Sequence, residues 1–264
     1  MARARRCLLP LAAAGAAMAS RGSLVRPTYD VAQLDCSRWQ ETVHSDIETA
    51  TGRAMDRART VRSGWWTVRA RDTTGGLAIE AWYDSLTLSR QSKVGELVPD
   101  TDGLLGGRYR GVLSSVGEFT PITHPFVPDE VADVANLADA LADLFPALPP
   151  NDLTAGEAWR GSDAVIRRLA DSTAGGRTIT RYAAEARRDE HRTMPRGDTV
   201  PVRIRQDMSE QGQFEWETGV GLVRRLRDIT VETVVPPGGR VRLTVRSRVV
   251  QHLELTRLPA ATCS

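Results

Sequence analysis

Lysine is nearly missing from this chain: of its 35 basic residues only Lys93 is lysine, and the rest are arginine. Such a bias reflects a GC-rich coding sequence more readily than a phosphate site. Cysteine is scarce too. Cys7, Cys36 and Cys263 form no Cys-x-x-Cys pair, and His44, His124, His191 and His252 lie scattered, so neither a zinc site nor a dithiol motif is written in the sequence. Beyond the first nineteen residues there is no long apolar run, and the roughly 20 residues a spanning helix needs are not available. No repeat of fixed period is present. What remains is 41% hydrophobic and 26% charged, the composition of a globular domain with a packed core.

The N-terminus reads as a secretion signal. Arg3, Arg5 and Arg6 form a positive n-region, Cys7 to Ala19 is apolar, and Ala17-Met18-Ala19 supplies the small-x-small pattern that precedes cleavage. Residues 1–19 are therefore expected to be removed, and the protein to be exported, to the periplasm or the extracellular medium. Arg5-Arg6-Cys7-Leu8-Leu9 also has the outline of a twin-arginine signal. Removing three arginines takes the formal net charge from +2 to −1, which leaves no electrostatic case for nucleic acid. Cys36 and Cys263 survive cleavage, and in an oxidising compartment their pairing would close a long loop.

Residues 20–37 read as a loosely ordered leader, followed by a single β-rich domain over 38–260. Strands are expected near Arg38–Thr49, Arg57–Arg71 and Leu77–Arg90, with Thr51-Gly52 and Gly75-Gly76 as turns. The Gly- and Pro-rich stretch 94–128 reads as loop around one strand at Arg108–Val116. Val131, Val134, Leu137, Leu141, Leu144 and Phe145 recur at helical spacing, and Pro128, Asp129 and Glu130 suit a helix start. These predict one amphipathic helix over 129–145, ended by Pro146. The strand pattern then resumes at Val200–Arg205, at Phe214 and Trp216, and at Leu222–Val235 with a bulge near Arg227-Asp228. Val241, Leu243, Val245, Val249, Leu253 and Leu255 mark the last strand. The fold class expected is mainly β: a curved antiparallel sheet or incomplete β-barrel with one amphipathic helix packed on it.

Individual motifs point to little chemistry. Asp84-Ser85-Leu86 has the look of a hydrolase nucleophile, but lacks the preceding glycine and a later Asp-x-x-His; a hydrolase would need folding to bring Ser85 and Asp84 to His44, His124 or His191. Asp100-Thr101-Asp102-Gly103 opens like a calcium loop, yet Gly111 stands where the closing Glu belongs, so an Asx turn is the better reading. Asp189-Glu190-His191 sits among arginines and reads as surface ion pairing. Arg242, Arg246 and Arg248 can meet an anionic headgroup or pair with Glu across strands. Trp65, Trp66, Trp82 and Tyr83 concentrate aromatics in neighbouring strands. With Leu137, Leu141, Phe145 and Trp216 they are the candidates to line an apolar ligand cavity. No cofactor or metal is expected.

From Phe145-Pro146-Ala147-Leu148-Pro149-Pro150 to Gly156-Glu157-Ala158-Trp159, the chain resembles uncharacterised exported bacterial β-rich proteins, in which a Leu-Pro stretch leads into a Gly-x-x-Trp strand. The layout of strands around one helix is also similar to the lipoprotein-carrier half-barrel. These resemblances imply compartment and architecture, and assign no catalytic residue. The function expected is a monomeric envelope binding protein holding a hydrophobic or lipid-like ligand. The alternatives are an interaction or structural protein with a filled core and, third, an envelope hydrolase.

Overall fold

Period-two patterning does produce strands: the first three run past their expected bounds at both ends, while the strand expected at Arg108–Val116 shortens to Tyr109–Leu113. The computed structural model describes residues 26–161, 164–196, 199–237 and 242–259; the expected signal peptide, Cys263 and Val241 lie outside them. Among the described residues thirteen strands form one open antiparallel sheet: β1 Ser37–Thr51, β2 Ala54–Thr73, β3 Gly76–Ser92, β4 Gly95–Leu97, β5 Tyr109–Leu113, β6 Phe119–Thr123, β7 Ala158–Arg160, β8 Ala164–Arg168, β9 Ser172–Ala174, β10 Arg177–Arg196, β11 Thr199–Glu217, β12 Gly221–Val235 and β13 Val245–Leu258. The main order is β6-β5-β3-β2-β1-β13-β12-β11-β10-β8-β7. Two meanders thus meet where the first and last long strands pair, Arg38 opposite Leu258 and Thr51 opposite Val245. Cys36, at a positive φ of 58°, sits just before this seam and is disulfide-bonded.

Residues 98–157, here called the strap, join the sheet only at β5 and β6 and otherwise cover one end of one face. Below them lies a single core holding Trp39, Val43, Trp66, Val68, Ile79, Tyr83, Leu88, Leu113, Phe214, Leu253 and Leu255 from the sheet, and Val131, Leu137, Leu141, Leu144 and Leu148 from the strap. Gly64 permits this packing. A Cβ there would stand 2.7 Å from the Ser85 carbonyl and 2.9 Å from the Tyr83 ring.

Four expectations are corrected. The amphipathic run 129–145 is not one helix but a four-residue helix, Asp129–Ala132, and a 3-10 turn, Ala140–Leu144. Asn136 interrupts it: its Oδ1 accepts from the Ala138 N–H and its Nδ2 donates to Asp139, the local side-chain bonding that competes with a helix. The apolar stripe still faces the core, because it is the burial that the spacing encodes. The leader is not loose from residue 26 onward: Asp30 caps the short helix Val31–Leu34, and Tyr29 and Leu34 are buried in the core. Lastly, β12 carries no bulge at Arg227-Asp228. Its register with β13 is unbroken from Arg224 to Val235, and the shift lies in its pairing with β11, between Glu215 and Trp216. The apparent change of phase arose because Arg225 and Arg227 take the inward face. The segments at Val200 and Phe214 likewise belong to one strand, β11.

Candidate functional site

Lines drawn through paired residues across the strap-side face show how the sheet changes along its strands. Nearest the strap, one row runs Gly64, Glu41, Leu255, Arg225, Phe214, Tyr182, and the next runs Leu88, Arg62, Val43, Leu253, Arg227, Gly212, Ala184. These two rows mix apolar side chains with buried charges. The following row is mostly polar: Thr60, Ser45, Gln251, Ile229, Glu210. Then comes Ala58, Ile47, Val249, Val231 and Met208, an unbroken apolar line over five strands, and after it the polar row Asp56, Thr49, Ser247, Thr233, Gln206. All five residues of the apolar line are half-buried, and none belongs to the core.

The charges under the strap form one connected network. Glu41, fully buried, accepts from Arg62 Nε at 2.6 Å, from Trp66 Nε1 at 3.1 Å and from the Tyr83 hydroxyl at 3.2 Å. Arg62 then reaches up, donating to Asp143 Oδ2 at 3.4 Å and to the Asn136 carbonyl at 3.5 Å. Arg227 donates to Asp143 Oδ1 at 2.5 Å, and Arg225 to the Asp143 carbonyl at 2.6 Å and Glu210 at 3.5 Å. Arg90 adds a bond to the Asp133 carbonyl, and the Tyr29 hydroxyl one to that of Pro146. Sheet arginines therefore hold strap carbonyls that a continuous helix would have satisfied itself.

Charge balance within the network fixes its protonation. Burial pushes the Asp143 carboxyl up, but Arg227, Arg62 and Arg225 outweigh it and hold the group below its usual range. Burial pulls Arg62 down, and Glu41, Tyr83 and Asp143 more than restore it. Arg225 is pushed down to about 10 by burial and by its neighbour Arg227, and stays a cation at neutral pH. Tyr109 is raised to about 12, chiefly by burial, and its hydroxyl has no partner among the described residues. Buried pairs of this kind are costly to break, because the surviving charge is left desolvated.

Of the eight residues expected to line a cavity, six are packed in the core: Trp66, Tyr83, Leu137, Leu141, Phe145 and Trp216, each no more than 5% exposed. Trp66 lies 3.7 Å from Tyr83 between ring centroids, and Tyr29 bridges Phe145 and Trp216 at 5.8 and 5.3 Å. The other two, Trp65 and Trp82, occupy the opposite face. The hydrolase constellation is not assembled. Asp84 is engaged by Thr67, Trp82 and Arg38; His44 sits opposite His252 on the seam; His124 contacts its neighbour's carbonyl; His191 pairs with Asp189. Asp100 forms the Asx turn, accepting from the Asp102 N–H at 2.9 Å. Arg248 pairs with Glu232 across strands. Among the described residues no group of three His, Cys, Asp or Glu is placed to hold a metal, and no helix is long and apolar enough to cross a membrane.

The sequence reading missed Glu41, Arg62, Asp143, Arg225 and Arg227. A signal existed for the sheet residues: each stands in the inward phase of its strand, where a charge demands a buried partner. The apolar line was invisible, because it exists only through strand register.

No protein-family model and no curated protein matches this chain. Among solved structures, a protein assigned as exported, with a YmcC-like fold, from Bacteroides fragilis NCTC 9343 aligns with 79% of this chain and 93% of its own at 12% identity and a TM-score of 0.18. A DUF1329 family protein from Desulfovibrio piger ATCC 29098 aligns with 88% of this chain and 89% of its own, again at 12% identity, with a TM-score of 0.19. Similarity at this level is too low to transfer either a fold or a function.

Proposed function

We propose that this is an exported envelope protein that binds a hydrophobic, acyl-chain-like ligand on the open part of its strap-side face, rather than beneath the strap. The carrying observation is the line Ala58, Ile47, Val249, Val231, Met208, which no element of the chain covers among the described residues. Five strands at about 4.8 Å spacing make it roughly 19 Å long and one residue wide, the proportions of a single extended acyl chain. The polar rows on either side suit a ligand that is apolar only along its length. Export rests on the N-terminal pattern Arg3 to Ala19.

Titration with a fluorescent fatty acid tests the reading. Saturable uptake is expected in the native protein and at least a tenfold weaker affinity in Val249→Asp, with the circular dichroism spectrum of the folded protein retained. Protein that carries no lipid by mass spectrometry and takes up none of the probe would overturn it. A second reading, an interaction protein with a filled interior, is favoured by the complete packing of the six candidate cavity residues. It predicts no uptake.

A further inference from the structure

The face opposite the strap is laced with cross-strand ion pairs, such as Arg57 with Glu48, Arg59 with Asp46 and Arg224 with Glu254. Two tryptophans break that pattern. Trp65 is 45% exposed, and Trp82 lies close by on the neighbouring strand, in register with Thr67. Between them β3 carries one extra residue: Trp65 pairs with Ser85 and Trp66 with Tyr83, which leaves Asp84 as a bulge. Bulges re-aim a side chain, and are over-represented at sheet edges and next to active sites. Here the bulge sends the Asp84 carboxylate across the surface, where its Oδ2 accepts from the Thr67 hydroxyl at 2.6 Å and its Oδ1 from Trp82 Nε1 at 2.9 Å. Arg38 approaches the same carboxylate at 3.6 Å and stands 5.8 Å from the Trp65 ring. On the far side Arg108 stacks on Trp82 at 3.6 Å.

We propose that Trp65, Trp82, Asp84 and Arg38 form a glycan-binding platform, with the C–H face of a sugar ring against Trp65 and its hydroxyls on Asp84 and Arg38. The parts are held before any ligand arrives. Trp82 is clamped between Arg108 and Asp84, and Thr67, only 6% exposed, anchors the carboxylate from below. A carboxylate has about four acceptor positions, so after Thr67 and Trp82 it still has capacity for a hydroxyl. An exposed indole ring presents an apolar surface with a negative quadrupole, suited to the polarised C–H groups of a sugar. Charged neighbours, Arg69, Glu80 and Arg110 among them, disfavour a protein partner, since interface cores are depleted in charge and extend over about 1,000 Å².

Calorimetric titration of the full chain with dextran and polygalacturonate oligosaccharides tests this. One of the two is expected to bind saturably, the acidic one if Arg38 meets a carboxylate and the neutral one if it meets hydroxyls. Trp65→Ala should weaken that binding at least tenfold and Trp65→Phe only a few-fold, both with an unchanged urea midpoint. No binding of either saccharide overturns the proposal, and so does equal binding by Trp65→Ala. A change of mass in light scattering on Trp65→Ala, with saccharide binding unaltered, also overturns it and makes this face a contact between copies. Uptake of fatty acid on the other face is independent of all these outcomes.

Discussion

The two ends of the same sheet are built from the same strands and yet differ in what holds them. Under the strap, β1 places Trp39, Glu41 and Val43 against a second layer, and every inward side chain there is buried. Four and six residues past Val43, Ile47 and Thr49 keep the same phase but are only half-buried, outside the core of the described residues. Strand pairing continues without interruption from one end to the other. Backbone hydrogen bonding is thus common to both ends, and the difference is tertiary: an apolar layer plus an ion network at one end, a bare ladder at the other. Helices and sheets draw most of their stability from burying a face, so the covered end should hold the fold, leaving the bare end available for a ligand.

Substitutions at the two ends should expose this contrast. Arg62→Ala leaves Glu41 buried without its cation, and removing one member of a buried pair costs about 3–5 kcal/mol; urea denaturation should show the largest loss here. Leu141→Ala, 2% exposed in the strap, should cost about 2–5 kcal/mol through the cavity it opens. Acid should act on the covered end as well. Because the folded-state Asp143 carboxyl lies below its usual range, its contribution is complete above about pH 4 and is lost as the pH falls through the depressed folded value. The midpoint of Asp143→Asn should depend less on pH in that acidic window. The smallest effect belongs to the bare end: Val249→Ala, half-buried, should cost about 0.5–1 kcal/mol. A loss there as large as that of Leu141→Ala would erase the distinction.

Much of the architecture was legible because alternation is a direct record of which side of a strand is wet. Val245, Val249, Leu253 and Leu255 share one phase in the sequence and one face in the sheet. The same rule misled where charge and burial coincide. The apolar phase of Leu222–Val235 shifts near Arg227-Asp228 and so suggests a bulge, but Arg225 and Arg227 lie inward, where Asp143 and its carbonyl meet them. The strap stripe was read correctly as buried and incorrectly as one helix, since spacing reports the face while Asn136 decides the backbone. The six buried candidate residues were recognisable as aromatic and aliphatic core, whereas Trp65 and Trp82 required the strand phase to be separated from them. The apolar line had no sequence signature at all. Its members are contributed by β2, β1, β13, β12 and β11, and only pairing brings them side by side.

Native-state hydrogen exchange, read residue by residue, tests the division of the sheet most directly. Amides of Glu41, Val43, Tyr83, Leu253 and Leu255 should exchange only through global unfolding, while those of Thr49, Met55, Thr233 and Ser247 should open locally at much lower free energy, despite belonging to the same strand ladders. Uniform protection along β1 and β13 would contradict the account.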